Sequence, residues 1–190
     1  MISSSRHPAV RALPTSVALA ALMVVGSLLP ASASAGGGCK GGRKAPAQLS
    51  EGEMRSATLC LINRQRHRHG LGSLEPDRKL SRAAARHSTD MVSRDYFSHY
   101  TPGGGSIQTR IGGSGYLAGA NSYLYGEVIG GGTGDGGSPK AVVQAWMHSG
   151  PHRAAILNGG FRDMGVGVAH GFPGAGSRGA TFTVDFGRRG

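Results

Sequence analysis

The chain predicts an α+β fold, with helices packed on a sheet that contains an antiparallel hairpin. Three observations carry this. Two long stretches, from Ser50 and from Asp77, place apolar residues at helical spacing. Two late runs, Met164-Gly165-Val166-Gly167-Val168 and Ala180 to Gly187, alternate as strands and are joined by a Gly-rich turn. Between them, Trp146 to Asn158 reads as the end of one helix, a break at Gly150-Pro151, and a new helix stopped by Gly159-Gly160. Helices with short, late strands imply a layered sandwich.

The N-terminal residues 1–35 read as a secretory signal peptide. Arg6 and Arg11 make a positive start, Ser16 to Leu29 is apolar and uncharged, and Ala31 to Ala35 offers small-residue cleavage sites. The apolar run is too short for a membrane span, and no later stretch is long and apolar enough to be one. Cleavage after Ala35 leaves 155 of the 190 residues, enough to bury a core. These carry 19 Lys and Arg against 10 Asp and Glu. Secretion makes an anionic cell-envelope polymer or a lipid surface the expected charge partner. Nucleic acid is not expected, because no aromatics interleave the scattered basic groups for base stacking. A secreted, extracellular monomer is the expectation.

Residues 36–49, rich in Gly and Lys, read as a flexible leader before a domain over 50–190. Cys39 and Cys60 are the two cysteines, and in a secreted chain a disulfide is the default. It would tie the leader to the first helix and stabilise the fold by about 3 kcal/mol on the loop-entropy model.

Ser50 and Glu53 form a capping box, and the helix they open runs to about His69, with Gly70 ending it. Arg66, Arg68, His67 and His69 fall in its last turn, where positive charge suits the helix dipole. The second helix starts near Asp77 after Pro76. Leu80, Ala84, His87 and Met91 share a stripe, so His87 is expected as a hydrogen-bonded core histidine. The Gly-rich segment 101–137 holds 14 glycines. It is read as excluding a regular helix or a long central strand. Inside it, Tyr123 to Ile129 reads as a short extended piece carrying Glu127, either exposed by alternation or buried with a partner. Gly130 to Gly137 matches a calcium-binding repeat only out of register and once, so calcium is not expected there. Ser138-Pro139 opens the third helix, with Val142, Val143, Trp146 and Met147 on its buried side. In the first late strand, glycine alternation leaves one sheet face open to close approach.

These residues together resemble the CAP superfamily (cysteine-rich secretory proteins, antigen 5 and pathogenesis-related proteins), in its short secreted bacterial branch. The resemblance rests on Leu61-Ile62-Asn63-Arg64-Gln65-Arg66, His87-Ser88-Thr89-Asp90-Met91, Tyr96-Phe97-Ser98-His99, Gly126-Glu127, Trp146-Met147-His148-Ser149 with His152-Arg153 and Ile156-Leu157-Asn158, and Gly165-Val166-Gly167. It spans about 50–187 and implies a three-layer α-β-α sandwich with a mixed, mainly antiparallel central sheet and a surface cleft. It implies that His99, Glu127 and His152 converge in that cleft. Many members hold two histidines and two glutamates there; the position matching the second glutamate is Ser149. Val128 replaces the Asn that commonly follows the cleft glutamate, and Gly150-Pro151 alters the approach to His152.

Two imidazoles and a carboxylate make a divalent-metal set, His99, His152 and Glu127, of the N/O kind zinc takes. His148 and His152 are four apart, but Gly150-Pro151 interrupts the helix that would pair them. A non-catalytic binding module for a metal, lipid or envelope glycan is the favoured function. The alternative is an extracellular hydrolase using Ser149 as nucleophile with a cleft histidine and Glu127, or a metal-activated water. Ser149 lacks a nucleophile-elbow context.

Overall fold

The computed structural model describes residues 38–190, so the signal peptide expected over 1–35 lies outside the described residues. Among the described residues, five α-helices and four strands follow one another as α1 (Glu51–Arg68), β1 (Glu75–Pro76), α2 (Arg78–Ser93), α3 (Ile107–Gly113), β2 (Tyr123–Gly132), α4 (Pro139–His148), α5 (Gly150–Ile156), β3 (Asp163–Phe172) and β4 (Gly176–Arg189). The sheet order is β1-β3-β4-β2. β1 runs parallel to β3, and the other two pairings are antiparallel. The sheet is therefore mixed and mainly antiparallel, as the resemblance implies.

Helix starts follow the local chemistry. Ser50 Oγ accepts from Glu53 N at 3.2 Å, and Ser50 N donates to Glu53 Oε2 at 2.9 Å. At the far end of α1, Gly70 takes φ +72°, which glycine adopts without steric cost. Its N–H donates to the His67 carbonyl, and Leu71 N–H reaches back to Arg66, so two end carbonyls are satisfied. Asp77 Oδ1 caps α2 by accepting from Lys79 N and Leu80 N at 2.7 and 2.9 Å.

The register sorts the sheet into two faces. On one, Glu127, Asp185 and Gly165 sit side by side across β2, β4 and β3, with Ile129, Thr183 and Gly167 in the next row. This face takes α2. A Cβ at Gly165 would lie 2.2 Å from the Leu80 carbonyl carbon, and one at Gly167 would lie 2.1 Å from that of Ala84. Glycine alternation in β3 thus allows α2 to rest directly on the strand backbone. Ser88 Oγ of α2 donates to Thr183 Oγ1 at 2.9 Å across the same contact. The other face carries Val128, Val184, Val166, Phe182 and Phe186, packed with Met54, Ile62, Val143 and Trp146 from α1 and α4. Trp146 donates to the Ile129 carbonyl at 2.8 Å, tying α4 to β2. Helices thus cover both faces, giving three layers.

Three features depart from the sequence reading. The leader expected to be flexible is packed where it is described: Cys39 is bonded to Cys60, Pro46 is buried, and Leu49 is in the core. Burial of two apolar residues and the disulfide outweigh its Gly/Lys composition. The Gly-rich segment does hold a helix, α3, capped by Ser106 and anchored by fully buried Ile111. Its seven residues are too few to be stable alone, so tertiary packing forms it. β2 also runs three residues further than expected, to Gly132, because Gly130 leaves room for the Trp146 ring.

Candidate functional site

Glu127 is the centre of the candidate site. Its place on the α2 face of β2 buries its side chain to 2% exposure. Such a carboxylate needs partners, and it has two. His99 Nδ1 donates to Oε1 at 2.7 Å. Arg110, from α3, donates through Nη2 to Oε2 at 2.5 Å. Arg110 also donates through Nη1 to the His99 carbonyl at 2.9 Å, so one guanidinium holds both the carboxylate and the loop that carries the imidazole. Its Nε is buried without a partner among the described residues. Of the two outcomes left open by the sequence, Glu127 is the buried, partnered one.

Burial alone would raise the Glu127 carboxyl. The His99 hydrogen bond and the Arg110 charge outweigh it and hold the group below the usual carboxylate range. Directly opposite on β4, Asp185 is fully buried, and neither carboxyl oxygen has a hydrogen-bond partner among the described residues. Burial, then the Glu127 charge beside it, push the Asp185 carboxyl well up. The same sheet position thus holds one carboxyl low and pushes its neighbour up.

His99 stays open to solvent, with its side chain 45% exposed, although Nδ1 is engaged. It borders a cavity of about 350 Å³ lined by Tyr100, Ser106, Ile107, Tyr125 and Glu127. Tyr123 and Tyr125 stack at 6.1 Å beside it, and both hydroxyls bond Gln108.

His152 lies in the first turn of α5. Ser149, at φ −95° and ψ 121°, separates α4 from α5; the break falls one residue before the expected Gly150-Pro151, which open α5, and His148 and His152 do not share a helix. Arg66 fixes where α5 ends. Placed by the sequence in the last turn of α1, it is 2% exposed. Its Nη1 donates to the Ile156 and Asn158 carbonyls at 2.8 and 2.9 Å, and its Nε to Gly72 at 2.9 Å. A cation at the C-terminus of α5 suits that helix's dipole. The His152 imidazole is half-buried; burial, then the charge of His99, pull its pKa down. No hydrogen bond joins His152 to His99 or Glu127 among the described residues.

His87 is the core histidine expected: it is buried, and Nε2 donates to the Ser98 carbonyl at 3.0 Å, which holds the turn entering His99. Ser149 Oγ makes no hydrogen bond among the described residues, so no base is in place to activate it. Nor do the described residues hold a group of three or more His, Cys, Asp and Glu placed to take a metal ion. Glu127 Oε1 and Oε2 each accept one hydrogen bond, from His99 and from Arg110. Arg110 and Asp185 escaped sequence reading. Only a basic residue in the same Gly-rich segment as a buried carboxylate pointed to Arg110.

A three-layer α-β-α sandwich with a histidine–carboxylate cleft defines the CAP class of fold. A family model for the cysteine-rich secretory protein family matches residues 59–186, and the chain belongs to that family. Among relatives, it is 35% identical over 112 residues to the uncharacterized membrane protein YlbC of Bacillus subtilis, covering 58% of this chain and 30% of that one. Among solved structures, an outer surface protein of Borrelia burgdorferi superposes with a TM-score of 0.62 at 22% identity, over 75% of this chain and 97% of that one. An extracellular protein containing an SCP domain from Bacillus anthracis superposes with a TM-score of 0.59 at 29% identity, over 74% of this chain and 44% of that one. The chain thus spans under half the length of two of these three. No helix among the described residues is long and apolar enough to cross a membrane.

Proposed function

We propose that this is a secreted CAP-domain protein whose cleft is a non-catalytic binding site, with His99 as its presenting side chain. The observation that supports this most is the 2.7 Å bond from His99 Nδ1 to Glu127. It selects the Nδ1–H tautomer of the neutral imidazole and leaves Nε2 as a lone-pair donor without a protein partner among the described residues. Carboxylates orient metal-binding histidines in this way from behind. The donor set fits a zinc-like cation held by His99 Nε2 and His152, with Glu127 as the orienting carboxylate and not a ligand. A third protein ligand is not supplied, so the site suits weak, exchangeable binding with other positions left to water or to an incoming glycan or lipid group.

Catalysis by Ser149 has no such support, because its hydroxyl lacks a bonded base. The extracellular placement of the Bacillus anthracis relative supports secretion of this chain as well. Titration calorimetry with Zn²⁺ alone tests the reading. One site is expected in the disulfide-bonded protein, lost in a His99→Ala, His152→Ala double variant. Unchanged heat in that variant would move the metal elsewhere and end the proposal.

A further inference from the structure

A second cavity, of about 520 Å³, shares no residue with the His99–Glu127 cleft. Arg43, Lys44, Arg64, Arg68 and Lys140 line it, and no Asp or Glu does among the described residues. Leu61 and Val143 supply apolar lining. Lys44 also lies near enough to Glu53 to act on that carboxylate, so part of its charge is balanced. Arg43, Arg68 and Lys140 make no ion pair among the described residues. A cleft lined by one sign of charge focuses potential and concentrates counter-ions.

The wall of this cavity comes from three parts of the chain. Residues 38–44 form one side, and two ties hold them: the Cys39–Cys60 disulfide to α1, and a 2.7 Å bond from Lys140 N to the Gly42 carbonyl at the start of α4. The family match begins at residue 59, so the side formed by residues 38–44 lies outside it, while the α1 and α4 sides lie within it.

We propose that the cavity binds a linear phosphodiester polyanion, a polyol-phosphate chain, through Arg43, Lys44, Arg64, Arg68 and Lys140. The cations come from the leader, α1 and α4, so repeating phosphates meet successive cations, which a single anion does not. A polyol backbone needs no stacking partner, and the cavity has no aromatic residue to offer one. Single-stranded nucleic acid would want such a platform. This site does not rest on the reading of the histidine cleft.

The test is binding of a synthetic poly(glycerol phosphate) decamer to the disulfide-bonded protein across a salt series, with inorganic phosphate and a thymidine decamer as comparators. The Arg43→Glu, Lys140→Glu double variant is expected to weaken decamer binding more than tenfold. Lys140→Glu places an acid in the first turn of α4, where the helix dipole favours it, so folding is retained. The salt slope should fall by about 1.4, on a coefficient of about 0.7 per phosphate contact. An Arg178→Glu, Arg188→Glu variant of the same net charge should weaken binding less than twofold. Cys39→Ser, Cys60→Ser should lose binding while the far-UV circular dichroism spectrum is unchanged. Equal weakening in the two charge variants would reduce the effect to net charge and overturn the site. Equal or tighter binding of the thymidine decamer or of inorganic phosphate would overturn the polyol-phosphate assignment.

Discussion

Glu127 and Asp185 face each other across the β2–β4 pairing, and the fold holds the Glu127 carboxyl low while pushing the Asp185 carboxyl well up. The difference comes from what each touches. Glu127 reaches His99 and Arg110, whereas Asp185 lies beneath α2 with no hydrogen-bond partner among the described residues. Glu127, the lowered member, is also the one that fixes the exposed imidazole.

Glu127→Gln leaves the mostly buried Arg110 guanidinium without its counter-charge. Breaking a buried pair from one side costs about 3–5 kcal/mol, and urea unfolding at pH 7 measures it. The acid limb should change too. The folded carboxyl is lowered from 4.5, so its contribution is complete above 4.5 and is lost as pH falls through the lower folded value. Stability of the variant should be flatter over that acid range; an unchanged limb would place the acid sensitivity elsewhere.

Asp185 acts with the opposite sign. Its folded pKa is raised from 3.8, so folding takes up a proton above that value and stability falls as pH rises from about 3.8 toward the folded value. Asp185→Asn stays neutral at every pH. The variant should be more stable than the parent at pH 7 and should lose that decline. Chemical denaturation at several pH values from about 3 to about 8 reads both effects.

Arg66→Met should destabilise the fold by about 3 kcal/mol. It keeps most of the buried volume but leaves the Gly72, Ile156 and Asn158 carbonyls without their donor. Arg68→Met, two residues along and exposed, should fall within about 0.5 kcal/mol of the parent by the same denaturation assay.

Gly167→Ala puts a methyl where the α2 backbone already stands, 2.1 Å away. A loss of about 2 kcal/mol or more is expected, at the upper end of overpacking costs. Gly150→Ala meets nothing within 4 Å and should be near neutral. Thermal unfolding of the two variants separates a packing requirement from a general cost of replacing glycine.

What is legible in the sequence is local. The Ser50–Glu53 box, the Gly70 stop, the break before His152 and the glycine alternation of β3 are each set by neighbours within a turn or a strand. Glu127 and His99 are identifiable as site residues through a family resemblance. What is not legible depends on contacts across the chain. Arg66 reads locally as a charge suited to its own helix end, but its partners lie 90 and 92 residues away. Arg110 sits in a helix too short and glycine-rich to announce itself, so its bond to Glu127 is hidden with it. Asp185 alternates in β4 like a surface residue, and only the sheet order, which puts β4 between β3 and β2, buries it. The leader's composition says flexible, and two apolar residues with one disulfide override it.

The most direct test of the cleft is a long-range ¹H–¹⁵N spectrum of the histidine side chains, recorded with and without Zn²⁺. Neutral His99 should be the Nδ1–H tautomer, and added zinc should move its Nε2 signal together with that of His152, leaving exposed His67 and His170 in place. An Nε2–H tautomer at His99, or zinc shifts that pass both cleft histidines by, would contradict the account.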